Sequence, residues 1–210
     1  MVKPVILHIT PHLNGGLGRV LLSTLQFSKS ASASFIHEIL ITDEKHLTPA
    51  SLQLFAEFSD LLHMGTSVGD TARMMEQADI IQIEWWNHPL IYHFLISTPL
   101  PPARLILCCH VAGLTRPNIV SEACVEFSDI FLAANKSTRK HPLFQFDVSG
   151  HLARKLRYVT YPVDFERFGT ITPKAHDGFN VGYVGTLDYS KLHRNFLSMS
   201  AGADIPDIKI

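Results

Sequence analysis

Short apolar runs alternate with longer amphipathic stretches along most of this chain, and that alternation admits few folds. Val5-Ile6-Leu7-His8-Ile9 reads as a strand closed by Pro11. Asn14-Gly15-Gly16-Leu17-Gly18 follows, and then a helix with Leu17, Val20, Leu21 and Leu25 on one face. Further strands are predicted at 35–41, 60–64, 79–85, 104–109, 130–134 and 156–161, with helices at 47–58, 70–77 and 121–127. The run Leu105-Ile106-Leu107-Cys108-Cys109 is almost wholly apolar, as a strand covered on both faces must be. The order strand, helix, strand predicts an α/β chain: a doubly wound, Rossmann-like parallel sheet over residues 1–169.

Residues 170–178 are polar and contain Pro173 and Gly178, so they read as a linker. Residues 179–210 read as the truncated start of a second Rossmann-like domain: a strand at Phe179 to Gly185, a helix near 192–200 and a strand opening at Asp207. One strand, one helix and a stub do not bury a core of their own. Phe179, Val181, Tyr183 and Val184 are therefore expected to pack on the first domain or on another molecule.

Composition narrows the function classes. Hydrophobic residues make up 46% and charged residues 18%, which supports a buried core rather than disorder. The net charge of -1 lacks the basic excess of a nucleic-acid protein. Three cysteines, two of them adjacent, do not make a disulfide framework, so a cytoplasmic setting is expected. The N-terminus lacks a signal-peptide core, and the most apolar stretch, 91–107, is broken by Pro99, Pro101, Pro102 and Arg104. No transmembrane segment is expected, while peripheral contact with a membrane surface stays open.

Four segments carry candidate chemistry. Gly15, Gly16 and Gly18 sit between a strand and a helix, where glycines allow close approach and a helix N-terminus favours phosphate. A plain tight turn explains them equally well. The spacing is neither the G-x-G-x-x-G fingerprint nor a P-loop, which weakens oxidoreductase and ATPase readings. His110 lies at the carboxyl end of a buried strand, the edge where open α/β sheets bind ligands. Cys108, Cys109 and His110 do not converge on one ion, because successive strand residues face opposite ways. Glu84-Trp85-Trp86-Asn87-His88 offers a carboxylate and aromatic faces suited to a sugar, although one of the two tryptophans is expected to pack beneath a helix. Arg139, Lys140 and His141 read either as contacts for an acidic acceptor or as a solvated face.

Six segments in order resemble the group 1 family of retaining glycosyltransferases, which has the GT-B fold. They are ILHITPHLNGGLGR from Ile6, ADIIQIEWW from Ala78, LILCCH from Leu105, FSDIFLAA from Phe127, YPVDFERF from Tyr161 and VGYVGTLDYSK from Val181. The resemblance implies metal-independent transfer of a sugar from a nucleotide-diphosphate donor to a glycan or small-molecule acceptor, with no other cofactor. It implies that Gly15, Gly16 and Gly18 form the loop that approaches donor phosphates and acceptor. His110 matches the histidine near the transferred sugar, Lys191 a diphosphate-binding lysine, and Asp164 and Phe168 the segment before the hinge. His110 is the candidate catalytic residue, with Glu84 and Trp86 as candidate substrate contacts. Thr186 stands where the family has an arginine, and the family's Glu-x7-Glu element has no counterpart up to Ile210. The chain is therefore expected to be the acceptor-side part of a hexosyltransferase-type enzyme, inactive alone and completed by a donor domain or a second chain. The alternative is a non-catalytic module, derived from such an enzyme, that binds a glycan or a partner.

Overall fold

The computed structural model describes residues 3–31, 34–45, 47–85, 87–116, 118–162, 169–172, 174–183, 193–203 and 208–209. Contacts divide the chain into a unit of Met1–Asp164 and a unit of Phe165–Ile210.

The first unit alternates β1 (Val5–Thr10), α1 (Gly15–Ser30), β2 (Ile36–Ile41), α2 (Pro49–Phe58), β3 (Leu61–His63), α3 (Val68–Gln77) and β4 (Ile80–Trp85). It continues with α4 (Pro89–Ser97), β5 (Arg104–Cys109), α5 (Glu122–Phe127) and β6 (Ile130–Ala133). A 3-10 turn at Lys136–Lys140, α6 (Pro142–Gln145), α7 (His151–Lys155) and β7 (Leu156–Tyr158) close it. All seven strands form one parallel sheet in the order β3-β2-β1-β4-β5-β6-β7. The doubly wound, Rossmann-like α/β architecture expected from the sequence is present.

Local chemistry sets where the helices begin. Thr48 accepts a hydrogen bond from the Ser51 amide while Ser51 answers the Thr48 amide, a reciprocal cap on α2. Ser67 caps α3 and Ser121 caps α5 in the same one-sided way. Pro89 opens α4 and Pro142 opens α6, where a missing N–H costs nothing. The ring nitrogens of His88 and His141 accept from the amides two residues on and cap those helices.

The main core lies on one face of the sheet: Leu7 and Ile9 of β1, Ile81, Ile83 and Trp85 of β4, and Leu107 and Cys109 of β5. A second cluster packs Leu21, Leu22 and Leu25 of α1 on Ile39, Ile41 and Phe55. All three cysteines are free and buried.

In the second unit β8 (Phe179–Asn180) pairs in parallel with β9 (Ile208–Lys209), and α8 (Phe196–Ala201) lies between them in sequence. Phe179 is exposed, Val181 and Tyr183 are half-buried, and Val184 lies outside the described residues. The Tyr183 and Phe196 rings lie 6.0 Å apart.

Candidate functional site at the carboxyl edge of the sheet

Strand order reverses between β1 and β4, which run to opposite sides of the sheet from that point. The crevice outside the carboxyl ends at such a reversal is where doubly wound sheets bind ligands. Three buried polar side chains, His8 and Thr10 of β1 and Glu84 of β4, lie on the two strands that flank that reversal.

Strand periodicity explains how. Residues two apart share a face, so His8 shares one with Thr10, Gln82 with Glu84, and Cys108 with His110. Register then sets them side by side: His8 pairs with Gln82, and Glu84 with Cys108. The intervening residues, Ile9, Ile83, Trp85 and Cys109, belong to the apolar core of the other face. His110 follows β5 directly, and its amide donates to the Trp85 carbonyl oxygen at 3.0 Å.

Glu84 is the hub. It is 2% exposed, and its Oε2 lies 2.6 Å from His110 Nε2. Its Oε1 accepts from Gln82 Nε2 at 2.7 Å and faces His8 Nδ1 at 3.4 Å. The network continues from His8 Nε2 to His37 Nδ1 at 3.0 Å, and from His37 Nε2 to the Ser28 hydroxyl at 2.8 Å. At the other end His110 Nδ1 meets the Tyr161 hydroxyl at 2.5 Å.

An ionised carboxylate only accepts, so both imidazoles facing Glu84 donate to it. His110 then carries its proton on Nε2 and accepts from Tyr161 at Nδ1. His8 carries its proton on Nδ1 and accepts from His37, which accepts from Ser28. This one arrangement satisfies every contact with neutral imidazoles and a single buried negative charge.

Environment reinforces it. Burial opposes ionisation of Glu84, but the hydrogen bonds from His110 and His8 outweigh it and hold the carboxyl down to about 2. Burial, and then the proximity of His8, push His37 down to about 4 against the pull of Asp60. Burial and the Glu84 charge raise the Cys108 thiol well above the ordinary range. Tyr161 is raised by burial and by its thiol and carboxylate neighbours, so it stays a hydroxyl donor.

Of the residues singled out in the sequence, Glu84 and His110 come together directly. Glu84 offers no open carboxylate to a sugar, since both its oxygens serve the chain's own side chains. Trp85 packs in the core with its ring edge-on to Tyr92 of α4, as expected for one of the two tryptophans. Trp86, Asp164, Phe168, Thr186 and Lys191 lie outside the described residues. Asn87, in the turn after β4, has a φ of 69°, a left-handed conformation that asparagine tolerates better than most residues. The His12 ring, after β1, meets the His88 ring edge-on at 5.7 Å, which ties two loops of the carboxyl edge together.

The three glycines differ. Gly15 has a φ of +67° and Gly16 has open space where a Cβ would stand, so both can admit a ligand to the backbone. Gly18 is buried, and a Cβ there would fall 1.8 Å from the Leu13 carbonyl oxygen. Close packing of turn on helix, rather than ligand approach, explains Gly18. Arg139 and Lys140 are exposed, while His141 is buried and serves as a helix cap.

Sequence reasoning did not single out His8, His37 or Tyr161. The signal for the first was a polar residue inside an apolar strand, two positions from another polar one. For Tyr161 no such signal exists.

No family model matches this chain, and no curated protein matches it. Among solved structures, a point variant of the O-GlcNAc transferase of Thermobaculum terrenum is similar at 11% identity and a TM-score of 0.47. The match covers 63% of this chain and 24% of that one. No helix among the described residues is long and apolar enough to cross a membrane.

Proposed function

We propose that the first unit of this chain is the acceptor-side domain of a cytoplasmic, sugar-nucleotide-dependent glycosyltransferase of the retaining group 1 type. The observation that carries the reading is His110, held at the carboxyl edge beside the strand-order reversal by Glu84 on one ring nitrogen and Tyr161 on the other. A sugar lying against that edge meets the Tyr161 hydroxyl and the His110 ring, with the buried Glu84 carboxylate fixing the orientation and tautomer of the imidazole. Gly15 and Gly16, at the N-terminus of α1, leave space for a phosphate or an acceptor hydroxyl near the backbone. The reaction needs no metal under this reading. The base, the diphosphate and most of the leaving-group stabilisation belong to a donor domain, on this or another chain, to which Lys191 would contribute.

Saturation-transfer NMR of the chain with UDP- and GDP-sugars and with free glycans tests this. Sugar protons take up saturation and nucleobase protons do not, and His110→Ala removes the effect. Saturation confined to the base, or a signal unchanged in His110→Ala, contradicts it. A chain that binds glycans but transfers nothing when joined to a donor domain would be the non-catalytic module instead.

A further inference from the structure

The hydrogen-bonded cluster also includes a buried thiol, Cys108, which reaches Glu84 and the Tyr161 hydroxyl. Cys108 is the register partner of Glu84, and it lies on the same face as His110, two residues on. One ligand atom each from Glu84, Cys108 and His110 lie within 4.8 Å of one another. The strand geometry that excludes Cys109, which points into the opposite core, is the same geometry that unites these three.

We propose that Glu84, Cys108 and His110 form a binding site for one zinc-like divalent transition-metal ion. The donor set is one oxygen, one sulfur and one imidazole nitrogen, which suits a borderline cation and not magnesium or calcium. Charge balance favours it too. A carboxylate and a thiolate together neutralise a divalent ion, whereas the Glu84 carboxylate by itself is one buried negative charge among neutral donors. The surrounding contacts are those a metal site needs. Gln82 and His8 hold Glu84 Oε1, and the Tyr161 hydroxyl holds His110 Nδ1.

The exchange of protons balances. The Cys108 thiol proton leaves to solvent as the ion binds. The His110 proton moves from Nε2 to Nδ1, where Tyr161 turns from donor to acceptor, and the freed Nε2 lone pair meets the ion. Glu84 Oε2 and His110 Nε2, now 2.6 Å apart, must part by roughly an ångström or less to admit metal bonds of about 2.0–2.3 Å. No step of this depends on the transferase reading.

Cobalt(II) is the probe, because a thiolate ligand gives it an intense near-ultraviolet charge-transfer band that imidazole and carboxylate do not. Titration of the untagged, reduced chain should yield that band at one ion per chain, and zinc should bleach it. Cys108→Ala abolishes the band, while Cys124→Ala, at a buried thiol on α5, keeps it. Tyr161→Phe, which removes the partner of Nδ1–H, weakens cobalt binding about 10–100-fold. Circular dichroism confirms that each variant is folded; should Cys108→Ala not fold, Cys108→Ser replaces it. No band from the folded wild-type chain at millimolar cobalt overturns the proposal, as does a band that survives in Cys108→Ala.

Discussion

Replacing Glu84 by alanine lowers the unfolding free energy of the chain by about 3–5 kcal/mol at neutral pH. The carboxylate accepts from His110 and Gln82 and faces His8, and its removal leaves those donors buried around a cavity. Glu84→Gln costs less, because its amide oxygen still accepts on one side while its NH2 forces one imidazole to change tautomer. The pH dependence carries a definite sign. The folded carboxyl, held down to about 2, sits below the ordinary value of 4.5, so its contribution is complete above pH 4.5. It fades as pH falls toward 2, and the gap between wild type and Glu84→Ala closes across that window. His37 acts higher up. Its folded pKa of about 4 lies below 6.5, so the unfolded chain takes the proton first and wild-type stability falls between pH 6.5 and 4. Urea denaturation at stepped pH measures both. A Glu84→Ala cost under about 1 kcal/mol at pH 7 would mean the cluster is solvated and not a buried hub.

Gly18→Ala and Gly16→Ala move stability in opposite directions. A Cβ at Gly18 meets backbone, the Leu13 oxygen at 1.8 Å and its carbonyl carbon at 2.4 Å, so the β1–α1 turn itself must shift. The expected loss stands at the upper end of overpacking, about 3 kcal/mol. A Cβ at Gly16 meets nothing within 4 Å, and alanine is the better helix former by up to about 1 kcal/mol. Gly16→Ala therefore leaves stability unchanged or raised. If a ligand approaches that backbone, the same variant weakens its binding, so stability gained with binding lost separates a ligand loop from a mere turn. Thermal unfolding of the two variants, followed by ligand titration of Gly16→Ala, reads both effects.

The sheet was legible because its strands are apolar runs of strand length, and three of the helices between them, α2, α3 and α5, are announced by the caps Thr48, Ser67 and Ser121. The helix α4 escaped notice for physical reasons. Its sequence, PLIYHFLIS, is apolar nearly all round and so carries no clear period, and its cap is a histidine rather than a hydroxyl or carboxyl residue. The short helices between residues 136 and 155 span too few turns to show periodicity. At the site, His110 stood out by its place at the end of β5 and Glu84 by its place at the end of β4. That the two share a hydrogen bond, and that His8 and His37 continue it, depends on which strands lie side by side. Strand order belongs to the whole fold, and the pattern within one segment does not encode it. Tyr161, 51 positions from its partner His110, was the least legible of all.

The most direct test of the central claim, that ligands meet this chain at the carboxyl edge around His110, is nitrogen–proton correlation NMR of its histidine rings during titration with nucleotide sugars and glycans. The expected result is that the His110 ring signals move first and farthest. His151, on the short helix that feeds the amino end of β7, stays still. Shifts at His151 with His110 unmoved would place binding on the opposite edge of the sheet and contradict the account.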